Sequence, residues 1–300
     1  MSTVTVLLST YNGEKFLKEQ IDSLLNQKGV DVKILVRDDG SKDSTISILK
    51  TYKDENKLNF YGSENIGVVS SFMDLIINAP DSDYYAFCDQ DDFWLENKLA
   101  VAVKKLESIK NPISLYCSAN TLVNEKLELL SNNNDRIKRI TYGGLLLKCC
   151  SIGCTYVFSK EALNYVRNNA INRNAMMHDA WVLRVIASVG EVVYDSHSYI
   201  LYRQHGNNVV GSTNSKIKKW KGRFKRFFTF KNRQRGNMIL ELYNMCFKDM
   251  TDVKKICLLE EFYNRNKISN RIKICFNKDV QCFDKIDTFI LKAFVLMGIL

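Results

Sequence analysis

Three short polar clusters in the first third of the chain each follow an apolar run and carry side chains able to hold a ligand. They are Thr10-Tyr11-Asn12, Asp38-Asp39-Gly40-Ser41 and Asp89-Gln90-Asp91-Asp92. Carboxylates as close as Asp89, Asp91 and Asp92 repel one another unless a cation or strong donors compensate them. A hard divalent cation, Mg2+ or Mn2+, arriving with a substrate diphosphate meets that need. The structural alternative is an acidic helix start, with Asp92 as the cap and Glu96 nearby. Asp38 and Asp39 can accept from a nucleobase imide N–H or from ribose hydroxyls. They can equally form a helix entry capped by Ser41 or Asp43. Thr10, Tyr11 and Asn12 can line a nucleoside pocket, and taken alone are an ordinary strand-to-helix loop.

The elements that must position these clusters alternate. Val4–Leu8, Val32–Val36, Asn59–Tyr61 and Tyr84–Cys88 read as strands. Between them Phe16, Leu17, Ile21, Leu24 and Leu25, then Thr45, Ile46, Ile48, Leu49 and Tyr52, then Phe72, Leu75, Ile76 and Ile77 recur at helical spacing. Repeated β-α units with short loops predict an α/β fold with a mostly parallel sheet covered by helices. In such sheets ligands sit beyond the carboxyl ends of the strands, where all three clusters fall. Beyond residue 113 the pattern predicts a strand over Ile113–Val123, a helix over Ala180–Val189, a strand over Glu191–Tyr202, and helices over Arg235–Phe247, Val253–Tyr263 and the C-terminal tail.

Composition sets the outer limits. A chain of 300 residues, 46% hydrophobic and 25% charged with only 2 prolines, is neither disordered nor low-complexity. The net charge of +10 is regional: residues 201–300 hold 21 Lys/Arg against 8 Asp/Glu, and residues 1–200 hold 22 against 25. Lys216–Arg235 alone carries ten basic residues and no acid. Such a region suggests an anionic partner: a membrane surface, nucleic acid or a phosphorylated substrate. Nine cysteines without a secretory signal suggest reduced thiols in a cytoplasmic protein. Cys149, Cys150 and Cys154 read as small buried residues rather than a zinc site, since no second Cys pair or nearby His accompanies them. No segment reaches the roughly 18–20 apolar residues of a membrane span. The tail from Ile286 to Leu300 comes nearest and is interrupted by Asp287 and Lys292.

Four segments in order, LLSTYNGEKFLKEQIDSLLNQ, VRDDGSKDST, NIGVVSSF and YYAFCDQDDFW, resemble the inverting family 2 glycosyltransferases of GT-A, Rossmann-like fold. MHDAWVLRVIASVGEVVYDSHSYILYRQHGNNVVG further resembles bacterial rhamnosyltransferases of cell-wall and capsular polysaccharide assembly. The resemblance spans about residues 3–212. It implies a nucleotide-sugar site in which Asp38 contacts the nucleobase and Thr10, Tyr11 and Asn12 line its pocket. Asp89 and Asp91 then bind the ribose and the metal-diphosphate. His205 is implied as a second metal ligand or a phosphate donor. His178-Asp179 stands where many relatives carry Glu-Asp, which makes Asp179 the catalytic base. Trp94, His178 and Arg203 are implied as acceptor or diphosphate contacts. The implied reaction is a single displacement with inversion. A base takes the proton of an acceptor hydroxyl, and Mg2+ or Mn2+ stabilises the departing nucleoside diphosphate.

The resemblance also implies a division into a catalytic domain, residues 1–212, and a basic amphipathic helical region, residues 213–300. The implied donor is dTDP-rhamnose or a UDP-sugar such as a UDP-hexose or galactofuranose donor, and the implied acceptor is a lipid-linked saccharide. Trp220, Phe224, Phe227 and Phe228 among lysines and arginines suit an anionic membrane, which predicts a peripheral protein at the inner face of the cell membrane. The same composition suits single-stranded nucleic acid. The intact Asp38, Asp89 and Asp91 set weighs against that alternative, and no nucleic-acid partner is expected.

Overall fold

The computed structural model describes residues 1–62, 64–132, 139–205 and 231–299. The first half is built as the alternation dictates: β1 (Thr3–Thr10), α1 (Leu17–Leu25), β2 (Asp31–Asp38), α2 (Thr45–Asp54), β3 (Asn59–Gly62), α3 (Val68–Asn78) and β4 (Tyr84–Cys88). A two-residue strand, β5 (Phe93–Trp94), then precedes α4 (Lys98–Glu107), β6 (Ser114–Val123), β7 (Leu129–Asn132) and α5 (Tyr142–Leu147). β8 (Val157–Ser159), α6 (Lys160–Asn169), α7 (His178–Val189) and β9 (Glu191–Arg203) follow. The C-terminal region holds α8 (Lys231–Cys246), α9 (Val253–Tyr263), α10 (Ile268–Phe276) and α11 (Lys285–Met297).

The strands form one sheet in the order β3-β2-β1-β4-β8-β6-β9-β5, with β7 on β6. β3, β2, β1 and β4 are parallel, as are β6 and β9, while β8 and β5 run against their neighbours. The register pairs Val4 with Val32 and with Tyr84, so the carboxyl ends of β1, β2 and β4 come out level. This places the three polar clusters along one edge. The expectation of a mostly parallel sheet between helices is met. The helix thought to start at Asp92 starts later: Asn97 precedes α4, and Asp92 lies in the turn before β5.

Both faces of the sheet are covered. Val4, Val6, Leu8, Ile34 and Val36 pack with α1, α2 and α4 on one side. Leu7, Phe87, Leu115 and Phe158 pack with α3, α6 and α7 on the other. The second core does not stop at α7. Ile239, Leu242, Leu259, Phe262, Ile274 and Val295 of the C-terminal helices belong to the same buried cluster. Each such side chain contributes roughly 1.5–3 kcal/mol by leaving water. The loop before α11 also docks onto α5, where a Cβ on Gly144 would lie 2.2 Å from the Gln281 carbonyl oxygen, so only glycine fits. The proposed 212/213 boundary and most of the basic segment, residues 216–230, lie outside the described residues.

Candidate active site

The polar clusters and the start of α7 open onto one cleft of about 830 Å³. Its β1–β2 side is stitched together by the clusters themselves. Asn12 takes a left-handed backbone (φ 48°), which Asn tolerates better than most residues. Its N–H donates to Ser41 Oγ (2.8 Å) and its Oδ1 accepts from the Lys42 N–H (2.9 Å). The Tyr11 N–H donates to Gln90 Oε1 (2.8 Å), and Gln90 Nε2 donates back to the Tyr11 carbonyl (3.1 Å). Tyr11 remains half exposed and lines the cleft with Asn12, whereas Thr10 is buried behind them.

The two adjacent aspartates divide by strand parity. Asp38 continues the side of β2 that carries Ile34 and Val36, and it is fully buried. Its oxygens accept from Thr10 Oγ1 (2.9 Å), Gly40 N–H (3.1 Å), Ser41 N–H (2.8 Å) and Ser41 Oγ (2.6 Å). Asp38 braces the loop and does not line the cleft. Asp39 continues the Leu35–Arg37 side and does line it. Its carboxylate pairs with the buried Arg37 and accepts from the N–H groups of Ile66 (2.9 Å) and Gly67 (3.0 Å). Alternation along β2 was the signal that could have distinguished the two.

After β4, Asp89, Gln90 and Asp91 line the cleft, and Asp92 does not. Asp91 Oδ2 lies 2.6 Å from His205 Nε2, which joins the ends of β4 and β9. Burial first, then the charges of Asp91 and Asp179, pushes the Asp89 carboxyl up to about 7. Buried Asp92 is raised well above the ordinary carboxylate range by burial and by the charges of Asp91 and Asp89. Asp89, Asp92 and Cys154 offer ligand atoms within 4.8 Å of one another. Cys154, read from the sequence as an ordinary buried thiol, is indeed buried, but it sits under the acidic turn.

Two expected ligand contacts turn out to be structural. Trp94 is 1% exposed, in the core beneath β5, with the Lys98 ammonium 3.4 Å from its ring centroid. Antiparallel pairing of β5 with β9 turns Phe93 and Trp94 to opposite faces and drives the indole inward. Arg203 is equally buried. Its N–H donates to Asp92 Oδ1 (3.1 Å) and its Nε to the Asp91 carbonyl (2.8 Å). Its Nη groups donate to the Glu125 carbonyl and to Glu19, and the guanidinium packs on Phe16. Arg203 therefore holds the Asp91 turn in place from behind.

The start of α7 forms the remaining wall. Asp179 lines the cleft, and its Oδ2 accepts from the Gly153 N–H (2.9 Å) while Oδ1 accepts from the Ala180 N–H (2.6 Å). A carboxylate in the first turn of a helix is stabilised by the helix dipole. Gly153 is obligatory, since a Cβ there would lie 2.9 Å from Asp179 Cβ. His178 stacks on Phe72 (centroids 3.8 Å, 12°) and meets the edge of Phe87 (5.2 Å). Neither of its ring nitrogens has a partner, and burial pulls its pKa down to about 4. The stacking partner Phe72 stands at the end of the NIGVVSSF segment; sequence reasoning used it only as a helix-core residue.

The family model for glycosyl transferase family 2 matches residues 5–166. The chain belongs to glycosyl transferase family 2. This glycosyltransferase is 30% identical to the dTDP-rhamnosyl transferase RfbG of Shigella flexneri, over 81% of this chain and 85% of that one. It is 29% identical to the Escherichia coli UDP-Glc:alpha-D-GlcNAc-diphosphoundecaprenol beta-1,3-glucosyltransferase WfgD, over 54% of this chain and 62% of that one. Among solved structures it resembles S. aureus TarS 1-349 in complex with UDP-GlcNAc, with a TM-score of 0.60 at 14% identity over 99% of this chain and 89% of that one. It also resembles the mannosyltransferase PcManGT from Pyrobaculum calidifontis in complex with GDP-Man and Mn2+, with a TM-score of 0.55 at 15% identity over 98% and 74%. At that identity the two structures bear on the fold, which is GT-A-like.

Proposed function

We propose that this glycosyltransferase is an inverting rhamnosyltransferase that moves rhamnose from dTDP-rhamnose to a hydroxyl of a lipid-linked saccharide in surface polysaccharide synthesis. The observation that carries the reading is one cleft lined by Asp179 and by the Asp91–His205 pair, and a single displacement needs no enzyme nucleophile. Asp179 takes the proton of the acceptor hydroxyl as that oxygen attacks the anomeric carbon. Asp39, rather than Asp38, faces the nucleobase, with Tyr11 and Asn12 beside it. Asp89 lies next to the donor diphosphate and ribose.

The residues present fit a divalent ion. A carboxylate and an imidazole nitrogen converge at the cleft in Asp91 and His205, and Asp89 lines the cleft beside them. The imidazole favours Mn2+ over Mg2+, which prefers oxygen ligands. Such an ion supplies Lewis-acid stabilisation of the leaving diphosphate.

The donor assignment is supported by the likeness to RfbG over most of both chains. Val68, Phe72, Ile152 and Met177 also make the wall beside His178 apolar, which suits the methyl group of a 6-deoxyhexose. The lipid-linked acceptor is supported by the likeness to WfgD, whose acceptor is a diphosphoundecaprenol saccharide. With it goes a peripheral place at the inner face of the cell membrane. No helix among the described residues is long and apolar enough to cross a membrane.

Titration calorimetry with dTDP-rhamnose, UDP-glucose and UDP-GlcNAc, each with and without Mn2+, tests the reading. The expected result is preference for dTDP-rhamnose, with Mn2+-dependent binding that weakens by about tenfold or more in Asp91→Asn. Preference for a UDP-hexose would overturn the donor, and metal-independent binding would overturn the role of Asp91 and His205.

A further inference from the structure

The α10–α11 hairpin presents a surface that the catalytic cleft does not use. Ile268, Ile272 and Phe276 recur every fourth residue and are exposed, Ile268 by 70% and Phe276 by 82%. They form one stripe along α10, while Ile274 on the opposite side is buried. On α11, Ile286, Phe289, Leu296 and Met297 are exposed, Phe289 by 77%, and Leu291, Phe294 and Val295 are buried. At 3.6 residues per turn the exposed set spans an arc of about 100°. The helices lock side to side: Lys292 Nζ donates to the Asn277 carbonyl (3.1 Å), and Cys275 Sγ donates to the Lys292 carbonyl (3.2 Å). Each helix thus turns its buried side to the protein and its apolar stripe outward. Seven large apolar side chains on one short hairpin make a patch that isolated surface residues do not.

The charges around this patch are predominantly positive. Lys267, Lys273, Lys278 and Lys285 are exposed on or beside the two helices. The acids are engaged: Asp284 caps α11 through the Ile286 N–H (2.8 Å), Asp287 pairs with Lys148, and Asp279 lies 4.0 Å from Arg139. A second copy of the same face would bring lysines against lysines, a like-charge contact that opposes self-association. An anionic bilayer offers the complement on both counts, with lipid phosphates for the lysines and the acyl boundary for the apolar stripe.

We propose that the α10–α11 hairpin docks the protein on an anionic phospholipid bilayer, its apolar stripe set into the headgroup boundary. This deepens the reading of a lipid-linked acceptor, and rests on it: it names the face that meets the lipid, outside the basic segment 216–230 to which the charge pattern pointed. The hairpin is fixed to the catalytic body through α5 and the shared core, so docking also sets the height of the cleft above the membrane.

The test is co-sedimentation of the full chain with phosphatidylcholine vesicles, with and without phosphatidylglycerol. One variant combines Ile272→Ser, Phe276→Ser and Phe289→Ser; a second changes Lys267, Lys273, Lys278 and Lys285 to Gln. Both alter exposed positions, and melting temperature is measured alongside. The wild type is expected to bind only vesicles containing phosphatidylglycerol. The apolar variant should lose about tenfold or more in affinity at any salt, and the lysine variant chiefly at low salt. In a separate Phe289→Trp variant, the fluorescence of the introduced indole, taken as the difference from the wild type, should shift to the blue on anionic vesicles. Binding that survives both multiple variants, and falls only when Lys216–Arg226 is neutralised, overturns the proposal. So does a wild-type dimer in sedimentation velocity that the apolar variant converts to monomer, since the occupant is then a second copy. Donor binding without lipid, measured on the same variants, is independent of the hairpin. Its loss in the wild type would sink the glycosyl-donor reading and leave the docking result standing.

Discussion

The two ends of the cleft are built on opposite terms. At the β1–β2 end, each oxygen of Asp38 and Asp39 accepts from the protein, and the loops that carry them are tied to one another by Asn12, Ser41 and Gln90. At the α7 end, His178 is buried against two phenylalanines with both ring nitrogens unpartnered. The first end is organised before any ligand arrives, so its residues bind by shape and cost little to order. The second end keeps unmet hydrogen-bonding capacity next to Asp179, the carboxylate we propose as the base. Buried polar groups left without partners are costly, and a ligand hydroxyl that meets them gains accordingly. The contrast teaches that satisfied and unmet hydrogen-bonding groups are allotted to different walls of one site.

The largest way to break the contrast is to remove the proposed proton acceptor, Asp179. Asp179→Asn keeps the shape and the bond from the Gly153 N–H, which the amide oxygen can accept, and gives up the one from the Ala180 N–H, which the amide NH2 cannot accept. It cannot take a proton. The expected result is a fall of roughly 10²-fold or more in transfer rate, with donor binding near the wild type and stability lower by only about 1 kcal/mol for the lost Ala180 contact. Transfer to a saccharide acceptor is measured beside calorimetry with the donor. Near-normal turnover would move the base elsewhere.

Next in size is the organised end, where two neighbouring aspartates should respond differently. Asp39 accepts only from N–H groups and from the buried Arg37, none of which can turn round to accept. An amide NH2 would face a donor there and leave Arg37 under-compensated, despite its second partner Asp74 at 3.2 Å. Asp39→Asn should cost about 3 kcal/mol in urea unfolding, the usual size for breaking a buried pair. Two of the donors to Asp38 are hydroxyls, Thr10 and Ser41, which can rotate and accept from an amide. Asp38→Asn should therefore cost nearer to about 1 kcal/mol. Equal losses would mean that the parity argument separating the two residues is wrong.

That parity was present in the sequence, as was most of the fold. Strand-helix alternation located β1 to β4 and their level ends, because period-2 and period-3.6 apolar patterns survive without tertiary information. The places of Asp89 and Asp91 were legible for the same reason, since they follow a strand that the pattern marks, whereas His205 was pointed to only by the resemblance. Trp94 and Arg203 were not. Both are large, amphipathic side chains beside a site, and whether they face ligand or core depends on the β5–β9 pairing, a non-local contact between residues far apart in the chain. The α10 part of the stripe was illegible too, since an apolar helix face reads the same whether protein or bilayer covers it, whereas the apolar end from Phe289 to Leu300 already suited a membrane in the sequence.

The smallest expected effect is on pH dependence, and it sharpens the contrast at its α7 end. His178 carries a pKa of about 4 in the fold against an ordinary value of 6.5, because burial disfavours the imidazolium more than the Asp179 charge favours it. The folded protein therefore keeps His178 neutral where the unfolded chain protonates it. Between about pH 6.5 and about pH 4 the unfolded state binds more protons, so this group's contribution to stability falls as pH falls through that window and levels off below about pH 4. His178→Phe preserves the stack on Phe72 and removes the titration. Urea unfolding of wild type and variant at about pH 7, 5.5 and 4.5 isolates the term, because the other titrating groups are common to both. The wild type should lose on the order of 1–3 kcal/mol more than the variant on going to the lowest pH. Parallel pH profiles would mean that His178 is solvated or partnered in solution, and the unmet hydrogen-bonding capacity that distinguishes this end of the cleft would be gone.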